Sequence, residues 1–414
     1  MVYIYNFFVY LFSLIIRLAS PFNAQARLFV KGRKDQFKRI KEALGPYDEI
    51  AWFHCASLGE FEQGRPVMEA FRKTFPRYKI LLTFFSPSGY ELKKDNAPAD
   101  YVFYLPMDKA HNARRFVRIV RPRIAVFIKY EYWFNYMNEL YKNKIPLFYI
   151  SAIFRKKQHF FKTWGWWFRN QLQKVSWFMV QNEASAQLLT NIKIFHHEVS
   201  GDTRFDRVLK ILESPRELSV LESFKGDSKI LMAGSTWPPD EGILKNYFEQ
   251  KPDLKLVIAA HKTDEAHIRE IQQKFADWNP VLFSQADEVS VQNAQVLIVD
   301  VMGLLSGLYR YADIAYVGGG FGTGIHNLLE PAVFGIPVLF GPNHQHFQEA
   351  LDLLEKGGGF TIRNKTQFQE IMDQLLSEPE KYIQAARAAQ TYVSSHSGAT
   401  DKVIWKMKEY IVAG

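Results

Sequence analysis

Short apolar runs alternate with helical patterns along most of this chain, and the alternation comes in two series. The first series places strand-like runs at 50–56, 79–85, 101–105, 124–130, 146–152 and 177–181. Between them lie amphipathic stretches such as 110–120, where Arg114, Arg115 and Arg118 alternate with Phe116, Val117 and Val120. This βαβ rhythm predicts a mostly parallel sheet with helices on both faces. Residues 204–228 are charged and poor in strand signal, and read as a linker plus a helix. A second series follows at 229–234, 255–260, 295–299, 314–317 and 337–340. The expectation is an α/β chain of two doubly wound, Rossmann-like domains with a cleft between them, the ligand lying at the carboxyl ends of the strands. The domains are placed at 26–205 and 229–395, joined by a linker at 206–228. Residues 396–414 form a helix that could cross back onto the first domain.

Residues 2–16 carry no charge, and Arg17 ends the run. As a helix they rise about 22 Å, short of the ~30 Å of a bilayer core. A tilted span, a half-span and an interfacial helix all remain open. Ala24-Gln25-Ala26 mimics a signal cleavage site, but the positive charges follow the apolar run rather than precede it. That order favours an uncleaved anchor over 1–25, with the remainder held on the cytoplasmic side. Arg17, Arg27, Lys31, Arg33, Lys34, Lys38, Arg39 and Lys41 face only Asp35 and Glu42 in the first 45 residues. Such a cluster suits an anionic membrane surface or phosphorylated partners. No nucleic-acid motif follows it, so nucleic acid is not expected as a partner. Aromatic residues make up 15% of the chain, which points to apolar surface meeting a membrane or lipid, or to a large aromatic core. The single cysteine, Cys55, excludes a disulfide framework within the chain.

Four groups of residues carry chemistry. Ser57-Leu58-Gly59-Glu60 follows the first strand, and glycine there allows a tight strand-to-helix turn. Glu60 could serve as a general base on a hydroxyl, or merely complement the helix dipole. Tyr130-Glu131-Tyr132-Trp133 ends the fourth strand; Glu131 either joins Glu60 or sits in a surface turn over buried aromatics. Gly318-Gly319-Gly320-Phe321-Gly322-Thr323-Gly324, then Ile325-His326-Asn327-Leu328-Leu329-Glu330, reads as a strand-to-helix loop. Its helix start offers N–H groups to a phosphate, and Glu330 could accept from a ribose; a structural glycine turn is the alternative. Gly234-Ser235-Thr236, Ala260-His261 and Met302-Gly303-Leu304 follow strands of the second series and converge on one sheet edge. There is no Walker A sequence, no H-E-x-x-H and no Asp-x-Asp, and His196-His197 reads as a solvated loop. No metal and no cofactor are expected.

These motifs together resemble the Kdo (3-deoxy-D-manno-octulosonic acid) transferase family, which has the GT-B fold. The most specific pieces are Ser57 to Glu60, Leu105-Pro106-Met107-Asp108, Glu131-Tyr132-Trp133-Phe134-Asn135, Arg204-Phe205-Asp206, Asp300-Val301-Met302-Gly303 and the 317–342 segment. The resemblance implies an inverting enzyme that moves Kdo from CMP-Kdo to a lipid A precursor, at the cytoplasmic face of a bacterial inner membrane. It implies Glu60 as the catalytic base, and Glu131 and Arg204 as transition-state stabilisers. It implies CMP contacts at Ala260, His261, Met302, Gly303, Leu304, Asn327, Leu328, Leu329 and Glu330. The chain departs from the family pattern in having Arg204 for a lysine, Ala260-His261 for Pro-Arg, and Lys129 where an acid is usual. A GT-B transferase using a UDP-sugar and a non-catalytic membrane-bound scaffold are the alternatives. Nucleotide preference separates the first, and the carboxyl group of Glu60 argues against the second.

Overall fold

The computed structural model describes residues 1–213, 218–251, 253–322 and 324–412. Residues 214–217 of the expected linker, and Thr323 of the glycine-rich loop, lie outside the described residues. The chain divides into two compact units. One comprises Met1–Arg207 with Ser397–Gly414, and the other Val208–His396.

The first unit holds a seven-stranded parallel sheet: β1 (Glu49–Cys55), β2 (Tyr78–Phe84), β3 (Tyr101–Tyr104), β4 (Ile124–Ile128), β5 (Leu147–Ala152), β6 (Trp177–Val180) and β7 (His197–Val199), in the order β3-β2-β1-β4-β5-β6-β7. β1 pairs with β2 from Glu49 opposite Tyr78, and with β4 from Ala51 opposite Ile124. Strands buried on both faces read as near-continuous apolar runs, which is why 50–55, His54 apart, and 124–128 show no alternation with polar residues. Side chains nonetheless alternate between faces. Trp52 packs with Phe116, Phe127 and Tyr136 on one side. Phe53 packs with Phe71 and its neighbours on the other. That second face is completed by the last helix, Ala399–Val412, whose Val403 and Met407 are fully buried in it. Asp206 fixes the start of this helix by accepting from the Gly398 and Thr400 amides, each at 2.6 Å.

The second unit has a sheet of the same design: β8 (Lys229–Thr236), β9 (Leu254–Ala260), β10 (Pro280–Leu282), β11 (Val296–Ile298), β12 (Ile314–Val317), β13 (Val338–Phe340) and β14 (Gly359–Thr361), in the order β10-β11-β9-β8-β12-β13-β14. Eleven of the strands are those expected. The others, β7, β10 and β14, have three residues each and all lie at sheet edges. His197 therefore opens an edge strand, not the solvated loop expected of it, and its Nε2 lies 3.0 Å from Thr190 Oγ1. Residues 204–228 contain two helices, Arg204–Glu213 and Ser219–Lys225.

The N-terminal helix runs Val2–Ala19, longer than the uncharged stretch, and rises about 27 Å. It is long and apolar enough to cross a membrane. Of its residues only Ser13 is buried, while Tyr3, Phe7, Phe8 and Leu18 are each more than half exposed. Two hydrogen bonds tie its first turns to the unit. Tyr5 donates its hydroxyl to Asp108 Oδ2 at 2.5 Å, and Asn135 Nδ2 donates to Asn6 Oδ1 at 2.9 Å. Asp108 is fully buried and also accepts from the Asn135 and Tyr136 amides, at 3.1 and 3.0 Å. Removing this acceptor strands three donors at once. Asp108→Ala is therefore expected to cost about 3 kcal/mol, measured by denaturant unfolding against wild type. A loss below about 1 kcal/mol would show that water replaces the carboxylate.

Candidate functional site

In the first unit the chemistry collects where β1 and β4 end. Ser57 caps the helix Leu58–Thr74, and Glu60, three residues on, closes a reciprocal cap. One Glu60 oxygen accepts from the Ala56 amide at 2.5 Å and the Ser57 amide at 3.3 Å. Gly59 is not required by the turn, as the sequence suggested. It lies inside the helix, and a Cβ there would meet nothing within 4 Å. Glu60 thus complements the helix start, but it also has a partner. The Glu131 carboxyl lies within hydrogen-bonding reach of it.

Both acids are largely buried. Burial, and then the charge of Glu131, push Glu60 up to about 7; the Ala56 amide, His54 and Lys129 oppose this. Burial also pushes Glu131 up to about 7, against hydrogen bonds from Glu60 and Trp133. Two adjacent carboxyls in low dielectric cannot both ionise cheaply, so the pair titrates as a unit and shares a proton near neutrality.

The surroundings fix the pair in place. His54 on β1 is fully buried. Its Nδ1 lies 2.9 Å from Thr83 Oγ1 and 3.1 Å from the Thr83 carbonyl, and its Nε2 accepts from Trp133 Nε1 at 2.8 Å. That acceptor role puts the ring hydrogen on Nδ1. Burial pushes His54 down to about 4, so the ring is neutral. Its 3.8 Å approach to Glu131 is therefore a polar contact and not an ion pair. Lys129, at φ +72°, turns the chain out of β4, and its charge favours ionised Glu60. Sequence reasoning missed His54 altogether, and named Trp133 and Lys129 only as a flank of Glu131 and as a departure from the family pattern. A histidine inside an otherwise apolar buried strand was the available signal.

Arg204 opens the helix Arg204–Glu213. Its Nε and Nη2 donate to Asp202 Oδ2 at 2.9 and 2.8 Å. Asp202 also accepts from Gln63 Nε2 at 3.1 Å on both oxygens. Arg204 is thereby linked, through Asp202, to the same helix that carries Glu60, one turn further along.

In the second unit the exits of β8, β9 and β12 assemble an aromatic stack. His261 lies over Trp237 at 4.7 Å between ring centres and over His326 at 4.4 Å, both nearly parallel. Trp237 Nε1 donates to His326 Nε2 at 3.3 Å. Burial pushes His326 down to about 4 and lowers His261 also. Asp240, fully buried, accepts from the Trp237 and Gly319 amides at 2.9 and 3.0 Å and from Tyr316 Oη at 2.6 Å. It ties the glycine-rich loop to the helix Pro238–Phe248. Trp237 and Asp240 were not anticipated.

The glycines of that loop answer to packing. A Cβ on Gly318 would lie 2.4 Å from the Ser235 carbonyl, and one on Gly320 2.6 Å from Gly341 Cα. The structural reading therefore accounts for these two without a phosphate. Asn327 Nδ2 donates to Glu330 Oε1 at 3.0 Å, and Asn327 Oδ1 accepts from the Leu329 amide at 3.1 Å. Leu328 and Leu329 are fully buried, so only their backbone is available to a ligand. Met302 is 74% exposed, Gly303 has φ +84°, and Leu304 packs on the core; Ala260 is half-buried at the end of β9. The helix after the glycine-rich loop, expected to offer N–H groups to a phosphate, is Leu329–Ala332, and the one after Met302-Gly303-Leu304 is Leu305–Leu308; each has only four residues. Their dipoles are correspondingly small, and individual N–H groups matter more than a macrodipole.

Comparison with known proteins gives the following. Residues 31–207 match the sequence model of the family described as 3-Deoxy-D-manno-octulosonic-acid transferase (kdotransferase). The chain is 27% identical to the 3-deoxy-D-manno-octulosonic acid transferase of Chlamydophila psittaci, covering 87% of this chain and 85% of that one. It is 25% identical to the same enzyme of Haemophilus influenzae, covering 90% and 92%. A bifunctional glycosyltransferase/methyltransferase of Fusobacterium nucleatum is 25% identical, over 88% of this chain and 58% of that longer one. Among solved structures, a UDP-GlcNAc 2-epimerase from Neisseria meningitidis matches with a TM-score of 0.61 at 16% identity, over 89% of this chain and 100% of that one. This last likeness establishes the two-Rossmann fold alone.

The titration of Glu131 has a consequence for stability. Its ordinary value of 4.5 rises to about 7 on folding. The stability this gives is complete below about 4.5 and is lost as pH rises through about 7. Glu131→Gln, which does not titrate, should therefore raise Tm over wild type by a few degrees at pH 8, at roughly 2–4 °C per kcal/mol, and by less at pH 5. An equal gain at both pH values would count against a buried, shared proton.

Proposed function

We propose that this chain, which is similar over residues 31–207 to the 3-deoxy-D-manno-octulosonic acid (Kdo) transferase family and over most of its length to individual Kdo transferases, is a glycosyltransferase of lipopolysaccharide biosynthesis that moves Kdo from CMP-Kdo to a lipid A precursor of the lipid IVA type, with inversion. The observation that carries this reading is the Glu60–Glu131 pair, two buried carboxyls held near 7 at the ends of β1 and β4. A general base works best when its pKa lies near the operating pH. An acceptor hydroxyl brought to Glu60 loses its proton as its oxygen attacks the anomeric carbon of Kdo, and CMP departs with the bonding electrons. Glu131, keeping the shared proton of the pair, leaves Glu60 ionised and stands by the forming charge. Arg204 offsets negative charge on the Kdo carboxylate or on the leaving phosphate, and its planar fork suits either.

The second unit takes the nucleotide. Ala260, His261, Met302, Gly303, Leu304, Asn327, Leu328, Leu329 and Glu330 contact CMP, with Asn327 presenting Glu330. The neutral rings of His261 and His326 act there as stacking and hydrogen-bonding groups rather than as cations. The apolar helix Val2–Ala19 anchors the enzyme at the cytoplasmic face of the inner membrane, where the lipid acceptor resides.

Purified protein incubated with CMP-Kdo, a tetra-acylated lipid A precursor and EDTA is expected to add Kdo to the acceptor, followed by mass spectrometry. Glu60→Ala should lower kcat by about 10²–10⁴ while CMP affinity is retained. The acid limb of the wild-type pH–rate profile should fall near 7. Glu131→Gln removes the neighbouring charge, so it should move that limb to lower pH. Transfer from a UDP-sugar in place of CMP-Kdo, or equal activity of Glu60→Ala, would overturn donor or base respectively.

A further inference from the structure

No acidic residue occurs between Glu139 and Glu183, and the middle of this stretch, 155–169, joins five cations to six aromatic rings. None of these residues belongs to the catalytic group, yet the segment is firmly built. Arg169 Nη1 donates to the carbonyls of Phe160 and Lys162 at 3.1 and 2.9 Å, and the Gly165 amide donates to Lys162 O at 2.9 Å. Phe160 is buried in the core of the unit. Trp167 packs on Phe134 at 5.1 Å and on Tyr5 of the N-terminal helix at 6.4 Å. This inner framework holds an outer face of different character. Trp164 and Trp166 are 53% and 59% exposed, and Arg155, Lys156, Lys157 and Lys162 are exposed around them.

A soluble surface gains nothing by fixing two indoles in water. Tryptophan is favoured where one side is apolar and the other wet, at the headgroup level of a bilayer, and lysines beside it are drawn to anionic lipid. The segment touches the apolar helix through Trp167 and Tyr5, so the two elements are neighbours on the first unit. We propose that residues 155–166 form a second membrane contact, in which Trp164 and Trp166 enter the headgroup layer and Arg155, Lys156, Lys157 and Lys162 bind the phosphates of anionic lipids. The contact rests on the membrane attachment proposed for Val2–Ala19, and supplies the charge selectivity which that apolar helix lacks.

The test uses the full chain with Trp166→Cys carrying a polarity-sensitive dye; the native Cys55 is buried. Vesicles of phosphatidylcholine alone, and of phosphatidylcholine with phosphatidylglycerol, are compared by co-sedimentation and by dye emission. Sedimentation reports the helix, and emission reports the loop. The expected result is sedimentation with both vesicles, but a blue shift only with phosphatidylglycerol, weakened by salt. Lys156→Glu with Lys157→Glu should reduce the shifted population by about fivefold per charge removed, with sedimentation unchanged. Sedimentation without any shift overturns the second contact and leaves the anchor standing. Absence of sedimentation overturns the anchor and this contact with it. A shift induced by soluble polyglutamate but not by phosphatidylglycerol would assign the face to an acidic protein and also overturn the proposal.

Discussion

Two carboxyl groups placed side by side away from water repel each other and lose hydration, and the first unit is arranged around making that tolerable. Glu60 takes two backbone amides at the start of its own helix. Glu131 takes Trp133 and Glu60 itself. Trp133 in turn donates to a histidine whose other nitrogen is held by Thr83. The neutral ring of His54 is what allows this chain to close without adding a third charge. A protonated imidazole there would pin both acids in the ionised state and remove the poise near 7 on which base chemistry depends. The buried run of β1 thus serves two ends. Its apolar residues fill both faces of the sheet, and its one polar side chain is turned to the group at its end.

Each unit uses a buried aspartate to join loops at its strand ends. Asp202 collects Gln63 and Arg204, and Asp240 collects the Trp237 and Gly319 amides with Tyr316. In both, a carboxylate with several donors converts a meeting of loops into a fixed geometry. Such preorganisation lets charged groups act without reorganising at the moment of reaction. The aromatic stack of the second unit has the same quality: three rings hold one another, and a ligand would find them already ordered.

Much of this was legible in the residues because parallel sheets leave a plain trace. Strands covered on both sides must be apolar throughout, so the central ones stood out. The edge strands β7, β10 and β14 did not, since three residues with one hydrogen-bonded neighbour need little apolar character. Glu60 and Glu131 were found because acids at the carboxyl ends of strands are costly and therefore informative. Their nearness depended on the β1–β4 pairing, across some seventy residues of chain, and so came only with the fold. His54 was hidden because a histidine in an apolar strand reads as packing. The glycine-rich loop misled in part: Gly318 and Gly320 are explained by backbone crowding against Ser235 and Gly341, which no local pattern announces.

The last helix has a bearing on how such a chain is made. Val403 and Met407 belong to the same buried cluster as Phe53, Phe71 and Phe148, but they leave the ribosome after every strand of both sheets. Until they emerge, one face of the first sheet lacks its cover, however completely the strands have paired. The nascent chain therefore carries an uncovered apolar patch through the whole synthesis of the second unit. A truncation that removes only the final turns would leave the Glu60–Glu131 pair and the aromatic stack of the second unit in place and yet produce a sticky protein, one whose defect is read in chaperone occupancy first.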